Sequence, residues 1–124
     1  MQREEIEQTA VVDYCRYANI PVYHVPNGGR RNAKEAYFLK RSGVSAGVPD
    51  LCIPLARGGF FGLYIEMKYG KNKTTPAQDK WLELLHKENY RCWICYSADE
   101  AIEVIKSYVK LTPTCEYFAD TPEE

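Results

Sequence analysis

The chain contains no run of 18 consecutive apolar residues, so it offers no segment that reads as a transmembrane helix. It also lacks a basic leader followed by an apolar stretch. The first residues are Met1-Gln2-Arg3-Glu4-Glu5, and a cytoplasmic protein is expected. A second cysteine pair is missing too. The five cysteines, Cys15, Cys52, Cys92, Cys95 and Cys115, are an odd number containing one CxxC with no histidine beside it. That argues against a zinc site or a disulfide framework and for reduced thiols within apolar segments. Neither an internal repeat nor a low-complexity tract is found. No charge sign dominates, with 16 Lys/Arg against 17 Asp/Glu, and the 45% hydrophobic fraction is that of an ordinary globular chain. At 124 residues one domain is expected rather than two.

The balanced total hides an uneven distribution. From Arg30 to Lys80 there are ten Lys/Arg against four Asp/Glu, whereas both flanks are net acidic. A positive middle third suits a ligand with a phosphate backbone.

Apolar periodicity places a first helix over 4–18, with Ile6, Ala10, Tyr14 and Tyr17 as its buried stripe, closed by Pro21. Val22 to Val25 is a short β-prone run stopped by the turn cluster Pro26-Asn27-Gly28-Gly29. Asn32 is a candidate cap for a helix to Arg41, ended by Gly43 and Gly47. Leu51–Leu55 and Phe60–Lys68, joined by the turn around Arg57-Gly58-Gly59, read as a hairpin, with Pro54 at a strand end. Thr75-Pro76-Ala77-Gln78 is a capping box that launches a helix with Trp81, Leu84 and Leu85 facing the core. Cys92 to Tyr96 is a strand, and Ser97-Ala98-Asp99-Glu100 opens a last helix to about Lys110. The predicted domain is 1–110, followed by a loosely ordered tail over 111–124. The alternation of helices and strands is that of an α/β domain.

Two short motifs carry chemistry. Gly47-Val48-Pro49-Asp50 precedes one strand of the hairpin, and Ile65-Glu66-Met67-Lys68 ends the other. Strand period two puts Glu66 and Lys68 on one face, and hairpin pairing brings Asp50 beside them. Two carboxylates at a sheet end can hold a hard divalent ion such as Mg²⁺, which polarises a phosphate and acidifies its bound water. A Glu-x-Lys triplet alone is uninformative, since about one is expected by chance in a chain of this composition. Its place at the end of an apolar strand, sixteen residues after Pro49-Asp50, is what gives it weight.

Together with Glu4 and Gln8, Val25-Pro26-Asn27-Gly28-Gly29 and Gln78, these motifs resemble the virus-type replication-repair nucleases (VRR-NUC) of the PD-(D/E)xK superfamily, over about Glu4 to Tyr108. The resemblance implies a single-domain nuclease fold with a central mixed sheet flanked by helices. It implies Asp50, Glu66, the Met67 backbone carbonyl and an N-terminal glutamate, Glu4 before Glu5 or Glu7, around Mg²⁺ or Mn²⁺. Lys68 would be the catalytic lysine, with Gln78 in support. Also implied are homodimers acting on DNA, with four-way junctions or other branched forms as substrate. Arg30, Arg31, Lys34, Lys40, Arg41, Lys71 and Lys73 are the candidate phosphate contacts, being Lys/Arg on exposed, adjustable segments. His24 reads as a structural imidazole, and the ten tyrosines give no base-stacking platform by sequence. A non-catalytic DNA-binding module would gain nothing from two carboxylates facing phosphate. A restriction-type endonuclease would need a base-reading segment for which 124 residues leave no room.

Overall fold

The computed structural model describes residues 3–26 and 32–119. Its elements in chain order are α1 (Arg3–Tyr17), β1 (Tyr23–His24), α2 (Ala33–Arg41), β2 (Leu51–Ile53), β3 (Leu63–Met67), α3 (Pro76–Lys87), β4 (Arg91–Cys95), α4 (Ala98–Val109) and α5 (Thr114–Ala119). The strands form one mixed sheet in the order β1-β2-β3-β4. β1–β2 and β2–β3 are antiparallel, whereas β3–β4 is parallel. The parallel pair follows from its connection, because α3 carries the chain back so that β4 starts at the same end as β3. An α/β domain with a mixed sheet flanked by helices is therefore what the chain forms.

One face of the sheet is the core. Leu51 and Ile53 of β2 and Leu63, Ile65 and Met67 of β3 are buried in one cluster with Val11 and Cys15 of α1 and Ala101, Ile105 and Tyr108 of α4. Burying each such aliphatic side chain stabilises by about 1.5–3 kcal/mol. Period two then commits Cys52, Tyr64 and Glu66 to the other face, whose β4 side is packed by α3.

Helix ends follow a common device. Asn19, Gly43 and Asn89 sit at positive φ just past α1, α2 and α3. In each case the next amide bonds back to a carbonyl inside the helix, as in Ile20 N–H to Cys15 O, Val44 N–H to Leu39 O and Tyr90 N–H to Leu85 O. Such caps satisfy carbonyls that the helix leaves open. The α2 and α4 caps are also as expected, with Asn32 and Ser97 accepting from Glu35 and Glu100 amides.

Three expectations differ from the fold. The α1 stripe is displaced, since Val11 and Cys15 are fully buried while Ile6 and Tyr17 are exposed. Helix α1 packs on α4, whose small Ala98 and Ala101 favour close approach of compact side chains; here cysteine acts as a small hydrophobe. In α3, Leu85 is buried but Leu84 is 48% exposed. Beyond α4, residues 111–119 form a bridge and α5 rather than a loose tail. The Thr114 hydroxyl donates to Phe60 O, and the Thr114 amide to Ala56 O. Those are polar anchors, invisible to a search for apolar periodicity. Among the described residues no helix is long and apolar enough to cross a membrane, and the five cysteines are free thiols.

Candidate active site

The register Leu51↔Ile65 sets the start of β2 beside the end of β3. Asp50 and Glu66 meet there, each carboxylate accepting from the other strand's backbone. The Met67 amide donates to Asp50 Oδ2 at 2.8 Å, and the Asp50 amide donates to Glu66 Oε2 at 3.2 Å. β1 pins the same point, because Val25 N–H donates to the Asp50 carbonyl at 2.8 Å. His24 Nδ1 lies 2.9 Å from that carbonyl oxygen. A ring nitrogen facing a carbonyl oxygen is the protonated one, so in this contact His24 Nδ1 donates to the Asp50 backbone.

Helix α3 supplies the third side. Thr75 and Gln78 form a reciprocal capping box, with Gln78 N–H donating to Thr75 Oγ1 and Thr75 N–H to Gln78 Oε1. The remaining end of the Gln78 amide donates through Nε2 to Glu66 Oε1 at 2.6 Å. One side chain thus caps a helix and orients a carboxylate. Gly47 makes this approach feasible: its φ is +94°, and a Cβ there would fall 2.5 Å from the Ala77 carbonyl carbon. Lys68 Nζ completes the cluster at 3.6 Å from Glu66 Oε1.

The electrostatics are those of two acids held out of water. Glu66 is only 2% exposed and Lys68 8%. Burial, followed by the Asp50 charge, pushes the Glu66 carboxyl up to about 8 against the opposing pull of Lys68. Burial also raises Asp50, offset in part by the Met67 amide. A buried and a half-buried carboxyl group side by side, faced by one ammonium, are undercompensated. Their hard oxygens and excess negative charge fit a divalent cation of the Mg²⁺ or Mn²⁺ class.

Asp50, Glu66, Lys68 and Gln78 are thus brought together, with Met67 between two of them in the chain. Glu4 is not part of that contact set. Its Oε1 accepts from Asn72 Nδ2 at 3.1 Å, a partner in the loop after β3 that the sequence reading missed. Among the described residues no three His, Cys, Asp or Glu side chains group as metal ligands. Glu7 has a structural task, accepting from the Ala98 amide at the start of α4 at 2.8 Å. Lys34, Lys40 and Arg41 are exposed on α2, and Lys71 and Lys73 are exposed in the β3–α3 loop. Arg30 and Arg31, with the Asn27-Gly28-Gly29 turn, lie outside the described residues.

Residues 3–99 match the family model of the VRR-NUC domain. The chain belongs to the VRR-NUC family. A solved structure described as a VRR_NUC domain protein is 36% identical, over 91% of this chain and 93% of that one, with a TM-score of 0.78. No curated protein matches the chain. All four clustered side chains of this VRR-NUC domain fall inside the matched span, while α5 and nearly all of α4 lie beyond it. The family is one of nuclease-type, DNA-processing domains.

Proposed function

We propose that this VRR-NUC domain is a divalent-metal-dependent endonuclease that hydrolyses phosphodiester bonds in branched DNA, four-way junctions included, as a homodimer. The observation that carries the reading is the convergence of Asp50, Glu66 and Lys68 where β2 starts beside the end of β3, with Glu66 and Lys68 buried and Glu66 held by Gln78. Mg²⁺ or Mn²⁺ held by the two carboxylates, with the Met67 carbonyl, would polarise the scissile phosphate and acidify a water. Gln78 holds Glu66 Oε1 in place, and the Lys68 ammonium beside it would stabilise charge developing on the phosphoryl oxygens. Glu4, tied to Asn72, is a candidate for the outer rim of the ion's environment. Lys34, Lys40, Arg41, Lys71 and Lys73, with Arg30 and Arg31, are assigned to DNA phosphates.

A chain with a single such centre makes one incision, whereas a four-way junction needs two, related by a twofold axis. A C₂ dimer supplies both with that symmetry. The test is a panel of duplex, single strand, flap, splayed arm and mobile four-way junction with and without Mg²⁺ or Mn²⁺, alongside sedimentation at micromolar concentration. Metal-dependent incision favouring branched forms by a dimer is expected. A monomer throughout, or equal cutting of junction and duplex, defeats the junction reading. Absence of metal-dependent cleavage on every DNA defeats the nuclease itself.

A further inference from the structure

The sheet face that carries the two carboxylates also carries a row of aromatic rings. Registers Tyr23↔Cys52 and Cys52↔Tyr64 put these three residues side by side across β1, β2 and β3. Tyr64 is two residues before Glu66 on one strand, and Cys52 two after Asp50 on the other, so the row lies one pleat repeat, about 6.7 Å, from the carboxylates. Tyr90 continues it, its ring edge-on to Tyr64 at 5.5 Å between centroids, and Phe61 follows at 6.1 Å from Tyr90. Tyr23 is 50% exposed and Phe61 52%, while Cys52 is buried among them. In these registers the Cys52 side chain lies between Tyr23 and Tyr64, and the ring contacts of Tyr64 with Tyr90 and of Tyr90 with Phe61 pack the rest of the row.

We propose that the row Tyr23, Tyr64, Tyr90 and Phe61 is a stacking platform for the unpaired bases of a DNA strand whose scissile phosphate lies at Asp50 and Glu66. The row is uncharged, so it suits base faces rather than phosphates. Paired bases in a continuous duplex keep their faces stacked on one another and have none to offer it. Because it is continuous with the carboxylate cluster, a strand cut there must leave across it or past it, and aromatic rings fixed beforehand bind bases without sequence preference. The substrate would then be selected by the unpaired nucleotides next to the cut. This deepens the nuclease reading and rests on it.

The test measures binding of a splayed-arm DNA in EDTA, where no metal-dependent cut is made. The arm carries either normal nucleotides or two abasic sites beside the branch, and is titrated with wild type, Tyr23→Phe, Tyr23→Leu and Tyr64→Leu. Wild type and Tyr23→Phe are expected to lose at least about 5- to 150-fold in affinity on the abasic arm, the range for one stacked base. Tyr23→Leu is expected to bind the normal arm more weakly and to discriminate less between the arms than wild type does, since three of the four rings remain. Tyr23 sits half-exposed on the edge strand, so this variant keeps the test informative if Tyr64→Leu fails to fold. Equal binding of the two arms by wild type overturns the platform. So does a Tyr23→Leu variant that discriminates as fully as wild type, as it would if a second copy of the chain covered the row and the substitution only dissociated a dimer. Failure of the nuclease reading is separate, and shows as no Mg²⁺- or Mn²⁺-dependent cleavage of any DNA by wild type.

Discussion

Strand β3 and the residue after it present two surfaces of opposite character. Leu63, Ile65 and Met67 are buried against α1 and α4, while Tyr64, Glu66 and Lys68 alternate with them towards the site. The first set is ordinary core, where every buried atom favours folding. On the other side a carboxylate and an ammonium are buried almost as deeply, and their desolvation opposes folding. Alternation along a few residues therefore separates what holds the fold from what does the chemistry. Substitutions on the two sides are expected to have opposite signatures.

The largest effect is expected from Asp50→Asn and Glu66→Gln, which keep the shape and remove the charge that would hold the ion. Cleavage should fall roughly 10³-fold or more, several kcal/mol at about 1.4 per tenfold. At pH 8 and above, where Glu66 is ionised, the melting temperature of the metal-free protein should be unchanged or higher, because a desolvated charge has gone. Near-wild-type turnover in either variant at limiting Mg²⁺ would mean that this cluster is not the active site. Lys68→Ala comes next, with kcat down about 10²–10³-fold and KM little altered if the ammonium acts on developing charge. A rise confined to KM would reduce it to a phosphate contact.

On the opposite surface Ile65→Ala should show the reverse pattern. Denaturant unfolding is expected to register a loss of about 2–5 kcal/mol, while the folded fraction keeps most of its kcat. If turnover collapses with stability intact, the two surfaces are not separate.

The most gradual effect is a pH dependence. Glu66 holds its proton up to about 8 in the folded chain against an ordinary 4.5. A raised folded value means that the contribution to stability is fully present below the unfolded value and is lost as pH rises through the folded one. In EDTA the unfolding free energy should therefore decline between about pH 5 and pH 8, by at most about 1.4 kcal/mol per unit. Glu66→Gln should remove that slope, and Mg²⁺ added at pH 8 should restore the lost stability. A metal-free wild type that grows more stable over this interval contradicts the assignment.

Much of this arrangement was legible beforehand because it is local. The Thr75–Gln78 capping box, the Asn32 and Ser97 caps and the alternation through Leu63–Lys68 are all encoded within a few residues. Hairpin logic placed Asp50 beside Glu66, since antiparallel pairing of consecutive strands sets the start of the first beside the end of the second. The Val11–Cys15 seam was misjudged because periodicity alone does not say which neighbour a helix meets. Glu4 illustrates the other limit: three acids within one turn are indistinguishable until Asn72 and the Ala98 amide select Glu4 and Glu7 for different partners.

By itself the sequence determined most of the helices and strands and the α/β class, and it singled out the two acids, the lysine and the glutamine that the fold brings together, because caps, turns and alternation act over short separations. Tertiary structure alone decided that Gln78 reaches Glu66, that Gly47 must pass against Ala77, and that tyrosines far apart in the chain form one row beside the carboxylates. Those facts depend on strand order and on helix placement over the sheet. Both are set by packing the whole core at once, and no window of neighbouring residues contains them.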